Sequence, residues 1–187
     1  MATIRKARPE DLKQVEYVCR MTAGPGSRRD PEVGNRVAKM YSTYYIRECV
    51  DNCFVLADDD DTVVGYVLCE PNFKRFRKVY RKVDVKHIYS LHKQSGKLAW
   101  HLPIPYTVFG GKYPAHLHID LMPDFQGAGY GTKMMEMLLE HLKSIGVKGV
   151  MLTTDEDNYG AIRFYERLGF KTLLCKFKFC AMGKQLN

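Results

Sequence analysis

Residues 114–146, PAHLHIDLMPDFQGAGYGTKMMEMLLEHLKSIG, constrain the fold more than any other stretch of this chain. An apolar strand-like run, PAHLHIDLM, gives way at Pro123 to three alternating glycines, Gly127, Gly129 and Gly131. Met134, Leu138, Leu142 and Ile145 then recur at helical spacing and Gly146 supplies a stop, predicting a helix from Tyr130 to about Ile145. VKGVMLTT follows as a buried strand, NYGAIRFYERLG as a helix and KTLLCKFKF as a last strand. Strand–helix–strand–helix–strand over half a chain predicts a mixed α/β sheet with flanking helices.

The glycines sit where a strand hands over to a helix. The first N–H groups of a helix are unpaired and its dipole is positive there, so such a turn favours phosphate. Alternate glycines let the backbone approach a ligand with no Cβ in the way. The dinucleotide fingerprint would need glycine where Thr132 stands, and a P-loop would need Gly-Lys-Ser/Thr; neither is present.

The first half reads less sharply. TIRKAR is a short strand, and Pro9 opens a helix carrying Leu12, Val15, Val18 and Cys19 on one face. TAGPGSRRDP is expected as loop, and one helix runs from about Glu32 to Cys49. NCFVLADD and TVVGYVLCE form a hairpin across the acidic turn Asp58–Asp61. Residues 72–95 read as a basic helical segment with Phe73, Phe76, Val79, Tyr80 and Val83 at helical spacing. At 187 residues, without repeat or linker, residues 1–187 are expected to form a single domain. Residues 71–114 form an insertion that either covers a binding site or pads the sheet edge; Trp100, Tyr106 and Tyr113 are its candidate pocket aromatics.

A net charge of +8 asks for an acidic ligand, either nucleic acid or a polyphosphorylated small molecule. No nucleic-acid motif accompanies the Lys/Arg run at 74–82, which makes nucleic acid the weaker expectation. No apolar run approaches the roughly 18–20 residues of a membrane span, and MATIRKARPEDL lacks a signal-peptide core, so a cytoplasmic protein is expected. The six cysteines, Cys19, Cys49, Cys53, Cys69, Cys175 and Cys180, form no C-x-x-C pair and read as buried reduced thiols. No metal site is expected.

Two segments together carry a family resemblance. Gln126, Gly129 and Gly131 match the Q/R-x-x-G-x-G/A loop of the GNAT superfamily of N-acetyltransferases, after an apolar strand and Pro123. Asn158, Ala161, Phe164, Tyr165, Gly169 and Phe170 match that superfamily's N-x-x-A-x-x-F-Y-x-x-x-G-F segment, at the right distance downstream. YPAHLHIDLMPDFQGAGYG looks most like the acetyltransferase-like domain associated with O-GlcNAcases and its stand-alone bacterial relatives. The resemblance implies a mostly antiparallel sheet of about six to seven strands, splayed between its fourth and fifth. It also implies acetyl-CoA as donor and an amine as acceptor, and it allows a homodimer.

By matching position, the backbone of Gln126, Gly127, Ala128, Gly129, Tyr130 and Gly131 is expected to hold the CoA pyrophosphate, with Thr132 helping. Of the three glycines, Gly129 and Gly131 carry the pattern and Gly127 is only permissive. The backbone around Leu121, Met122 and Pro123 is expected beside the pantetheine arm, Asn158 to hydrogen-bond it, and Ala161 and Phe164 to lie nearby.

Acetyl transfer from a thioester needs a neutral amine, a polarised carbonyl and a proton for the leaving thiol. Tyr165 is the expected acid, since a tyrosine keeps its proton at neutral pH. An N–H near Leu121 is the expected oxyanion contact. Period-two alternation puts His116, His118 and Asp120 on one face of AHLHIDL. Asp120 stands where the O-GlcNAcase-associated domain has an aspartate, so Asp120, with His118, is the candidate for binding or deprotonating the amine. Arylalkylamine acetyltransferases carry a His-x-His pair one residue earlier, on the other face unless a bulge intervenes, and that mechanism is not carried over. The alternatives are a hydrogen-bonded cluster that merely fixes the strand, or a catalytically silent acetyl-CoA-binding module.

Overall fold

The computed structural model describes residues 2–186. In chain order the elements are β1 (Thr3–Lys6), α1 (Leu12–Thr22), α2 (Pro25–Arg29), α3 (Pro31–Tyr41), α4 (Thr43–Cys49), β2 (Phe54–Ala57) and β3 (Val63–Glu70). There follow α5 (Phe73–Lys82), α6 (Asp84–Leu91), α7 (Lys93–His101), α8 (Ile104–Phe109) and β4 (Ala115–Leu121). The chain closes with α9 (Tyr130–Ser144), β5 (Gly149–Asp155), α10 (Tyr159–Arg167), β6 (Lys171–Lys176) and β7 (Phe179–Gln185).

Seven strands form one open sheet in the order β1-β2-β3-β4-β5-β7-β6. Every pair is antiparallel except β4–β5, which is parallel. That parallel pair is held only at Ala115↔Val150 and His116↔Met151. Beyond it the two strands part, which opens a cleft at the splay expected from the resemblance.

Both faces of the sheet are covered, and this explains why β3, apolar but for Tyr66 and its last residue Glu70, is buried at every position. On one face Tyr66 and Leu68 pack with Val15, Val18, Tyr44 and Tyr80 from α1, α4 and α5. On the other, Val67 and Leu117 pack with Met134, Leu138 and Tyr165 from α9 and α10. In α9, Met134, Leu138 and Leu142 are buried as their spacing predicts, whereas Ile145 is 48% exposed at the end of the helix. Gly146 follows at φ +76, the left-handed conformation of a helix stop.

Several elements depart from the expectation, each for a tertiary reason. The helix expected over 32–49 is two, α3 and α4. Ser42 between them leaves helical geometry while its buried hydroxyl donates to the Ala38 carbonyl at 2.9 Å. The 22–31 loop contains the helical turn α2, with Pro25 at its first position. The basic segment over 72–95 is not one helix but α5, α6 and the start of α7. It breaks at Val83, beside Asp84, which takes a paired hydrogen bond from Arg47 at 2.8 Å on each oxygen.

The final strand expected over 171–179 is a hairpin instead. Phe177 and Lys178, at φ +60 and +67, turn the chain as a type I′ pair without glycine or asparagine. This return brings Cys175 opposite Cys180, and the two are joined as a disulfide, contrary to the expectation of six free thiols. Cys19, Cys49, Cys53 and Cys69 are free and buried as expected. Among the described residues no helix is long and apolar enough to cross a membrane.

Candidate active site

The gap between β4 and β5 opens into a chamber of about 1290 Å³. On one side it is walled by the glycine loop and α10, on the other by the aromatic face of α3, α4, α5 and α8.

The first side is built locally. A short turn at Pro123–Phe125 follows β4, and Gln126 folds back so that its Nε2 donates to the Leu121 carbonyl at 2.8 Å. This bond ties the loop to the end of the strand. Gly127 and Gly129 adopt φ +78 and +82 and have open space where a Cβ would stand. Gly127 therefore has a conformational requirement of its own, and is more than permissive. Gly131 has no such φ; a Cβ there would meet the Phe164 ring at 3.5 Å. Gly129 caps α9, and Lys133 N–H is the first of the helix to find a carbonyl, that of Gly129 at 3.1 Å. The N–H groups of Tyr130, Gly131 and Thr132 are thus left for a ligand. A cradle of free N–H groups at a helix N-terminus, open at Gly127, Gly129, Gly131 and Thr132 to the chamber, fits a phosphate-bearing donor.

The other expected donor-side residues divide. Leu121, Gln126, Asn158, Ala161, Phe164 and Tyr165 line the chamber. Asn158 caps α10, its Oδ1 accepting the Ala161 N–H at 3.1 Å, which leaves its amide N–H groups as donors. Met122 bonds from its N–H to the Val64 carbonyl at 2.8 Å and packs into the core. Met122, Pro123, Ala128 and Tyr130 shape the loop without forming chamber wall.

The expected face of β4 splits in two. The β3–β4 register runs without a shift from Gly65↔Leu121 to Glu70↔His116, so no bulge intervenes and His116, His118 and Asp120 share one face. His118 and Asp120 line the chamber. His116 is fully buried behind it, its ring 4.3 Å from that of Phe76 and 4.6 Å from that of Tyr106. Among the described residues neither His116 nitrogen has a hydrogen-bond partner, and burial pushes its pKa down to about 3. It is neutral at physiological pH and is not part of the chamber wall.

Tyr66, on β3 directly opposite Asp120, is the site residue that sequence reasoning missed. Its hydroxyl donates to Asp120 Oδ2 at 2.6 Å and lies 3.1 Å from His118 Nδ1. Burial, then the Asp120 charge, holds its pKa well above the ordinary tyrosine value. A hydroxyl has one hydrogen, and this one is given to Asp120; His118 Nδ1 must therefore be the donor in the second contact. In the neutral ring that leaves Nε2 with the lone pair. The signal available in the sequence was a single phenol among the aliphatic residues of VVGYVLCE.

Tyr165 reaches the chamber from α10. Burial first, and then the Asp120 charge, raises its pKa beyond the ordinary value, so it stays protonated. Of Trp100, Tyr106 and Tyr113 only Tyr106 lines the chamber, its hydroxyl 3.3 Å from Thr153 Oγ1. Trp100 is half-exposed and stacks on Arg81 at 4.4 Å; Tyr113 is buried against Met151 and Ala181. The basic residues of α5 are partly committed within the chain, Arg75 to Glu70 at 3.2 Å and Arg77 to the Phe73 ring at 5.6 Å. Among the described residues no group of three or more His, Cys, Asp or Glu could hold a metal ion.

Comparison with known proteins agrees with this geometry. A family model described as the acetyltransferase (GNAT) family matches residues 27–170. The crystal structure of SsHAT matches at 31% identity and a TM-score of 0.89, over 100% of this chain and 98% of that one. The PaiA N-acetyltransferase of Thermoplasma acidophilum, solved in complex with coenzyme A, shares the fold, with a TM-score of 0.60 at 14% identity over 99% of each chain. A mycothiol acetyltransferase of Geodermatophilus obscurus is 44% identical over 48 residues, covering 26% of this chain and only 16% of that protein.

Proposed function

The chain belongs to the GNAT family of acetyltransferases, and from that premise we propose that it transfers the acetyl group of acetyl-CoA directly to a primary amine in a ternary complex. One observation carries the reading: a free carboxylate oxygen, a free imidazole nitrogen and a protonated phenol face the chamber that the glycine loop opens into. Residues 1–187 act in this reading as one catalytic domain, with α7 and α8 of the 71–114 segment roofing the acceptor half.

The backbone N–H groups from Gly127 to Thr132 hold the donor's pyrophosphate, and Asn158 hydrogen-bonds its pantetheine arm. Asp120 binds the acceptor ammonium, Tyr66 keeping the carboxylate oriented. His118 Nε2 takes a proton from the amine, whose lone pair then attacks the thioester carbonyl. The backbone at Leu121 supplies the contact for the developing oxyanion. As the carbon–sulfur bond breaks, Tyr165 gives its hydroxyl hydrogen to the departing sulfur. The second proton of the attacking nitrogen, shed as the amide forms, passes through water to restore the Tyr165 hydroxyl, and the first, held on His118, returns to solvent. A tyrosine suits the last step because its proton stays in place until a strong base, the thiolate, appears.

Calorimetry with acetyl-CoA, paired with a free-thiol assay over amine classes, tests the proposal. Binding together with amine-dependent thiol release is the expected result. Binding with no turnover of any amine would instead favour a silent acetyl-CoA-binding module.

A further inference from the structure

We propose that the acceptor is a small primary amine with an apolar or aromatic body, its ammonium at Asp120 and its body against Tyr41, Tyr45, Phe76 and Tyr106. The inference rests on the acetyl-transfer reading above and names the substrate class of that site.

The acceptor half of the chamber is walled by rings from four separate helices. Tyr41 ends α3, Tyr45 stands in α4, Phe76 in α5 and Tyr106 in α8, and all four line the cavity. Their faces are arranged as a continuous lining: Tyr45 stacks on Phe76 at 6.1 Å, Phe76 meets Tyr106 edge-on at 6.5 Å, and Tyr41 stacks on His118 at 5.7 Å. Rings in this arrangement present flat, weakly polar surface, which complements another ring or a hydrocarbon chain.

Charge on the walls is sparse and of one sign on this side. Asp120, Asp155 and Arg167 are the lining residues with full charges. Arg167 belongs to α10, the helix that carries Ala161 and Phe164 on the donor side. Asp155 ends β5 and is exposed at the rim. Asp120 is the interior anion. Among the described residues only its Oδ2 is engaged, by Tyr66 and, at 3.8 Å, by His118 Nδ1, which leaves Oδ1 for a cation. One interior carboxylate among rings defines a ligand with one positive end and an apolar remainder.

The roof agrees. Leu98 of α7 and Ile104 of α8 line the chamber and are nonetheless 53% and 47% exposed. Large apolar side chains left open to water at the mouth of a cavity are those that an apolar ligand covers. An amino sugar would need a polar partner for each of its hydroxyls, where this side sets Ser27, His101 and the tyrosine hydroxyls among the rings, and a polyamine would need a second interior anion. A lysine on a folded protein would have to reach in past α7 and α8.

The test is steady-state acetylation with acetyl-CoA of phenethylamine, hexylamine, glucosamine, spermidine and a lysine-containing peptide, read by free thiol. Phenethylamine and hexylamine are expected to exceed the other three in kcat/KM by roughly tenfold or more. Leu98→Ser and Ile104→Ser, at half-exposed positions that tolerate a polar side chain, are expected to raise the KM for phenethylamine about tenfold, with the KM for acetyl-CoA little changed. If glucosamine, spermidine or the peptide is the fastest acceptor, this inference falls and acetyl transfer stands. If no amine releases thiol, both fall.

Discussion

Tyr66 and Asp120 face each other across the β3–β4 register, and the phenol gives its only hydrogen to the carboxylate at 2.6 Å. The consequence reaches His118, whose Nδ1 lies 3.1 Å from the same phenol oxygen and must donate to it. The tautomer of the proposed base is thus set by a residue that touches no substrate.

Tyr66→Phe removes that control while keeping the buried ring. The expected outcome is a fall in kcat of about 10- to 100-fold, since both the orientation of Asp120 and the tautomer of His118 are released. Nitrogen NMR of the wild type should report Nδ1–H on His118, and the variant a mixture. A wild-type spectrum with the proton on Nε2 would overturn the assignment.

Asp120→Asn keeps the shape of the side chain and removes its charge. With the preferred amine, KM is expected to rise about tenfold or more, because the ammonium loses its only interior anion. Unchanged turnover across pH 6–9 would remove Asp120 from the mechanism.

Tyr165→Phe retains the ring against Phe164 and Phe170, 5.2 and 5.7 Å away, but has no proton to give. The expected loss in kcat is about 10²- to 10⁴-fold, with acetyl-CoA affinity little changed. Burial and the Asp120 charge hold this hydroxyl above its ordinary range, so the acid form persists as pH rises. The wild-type rate should therefore show no fall between pH 7 and 9 that the Phe variant abolishes. Such a fall would mean that another group donates the proton.

The donor half of this site was legible because it is local. Gln126, Gly127, Gly129 and Asn158 do their structural work within five residues of their own positions in the chain, through one backbone-directed bond or one left-handed φ. On the acceptor side Asp120, His118 and Tyr106 were legible, but Tyr41, Tyr45, Tyr66 and Phe76 were not, because these rings meet only after several elements have packed. In sequence Phe76, at helical spacing, reads simply as core, and Tyr66 as one residue of a buried strand. The same holds for the boundaries. The break at Ser42 depends on its hydroxyl finding Ala38, and the one at Asp84 lies where Arg47 arrives from α4. The Phe177–Lys178 turn carries no residue that announces a left-handed backbone.

The glycines give a ranked prediction. Alanine at Gly129 must adopt φ +82 at a cost of roughly 1–2 kcal/mol, so Gly129→Ala is expected to weaken acetyl-CoA binding about 5- to 30-fold by calorimetry. Gly131→Ala has ordinary φ and only a 3.5 Å contact with Phe164, and should cost less. The reverse order would show that close approach at Gly131, rather than backbone conformation, governs the seat.

His116 supplies the last prediction, one of stability. Its pKa is about 3 in the fold and about 6.5 unfolded, because burial penalises the charged ring. Between those values the unfolded chain binds a proton that the native state refuses. This contribution is therefore intact above pH 6.5 and is lost as pH falls toward 3, at about 1.4 kcal/mol per pH unit. His116→Leu keeps an apolar body of similar volume and deletes two ring nitrogens that have no partner. At pH 7 its stability should match or exceed the wild type, since no hydrogen bond is lost. In urea unfolding from pH 6.5 to 4 the variant should lose stability more slowly than the wild type. Parallel slopes would mean that the imidazole finds a proton acceptor in the fold after all, and that His116 belongs with His118 and Asp120 as a polar unit rather than behind them.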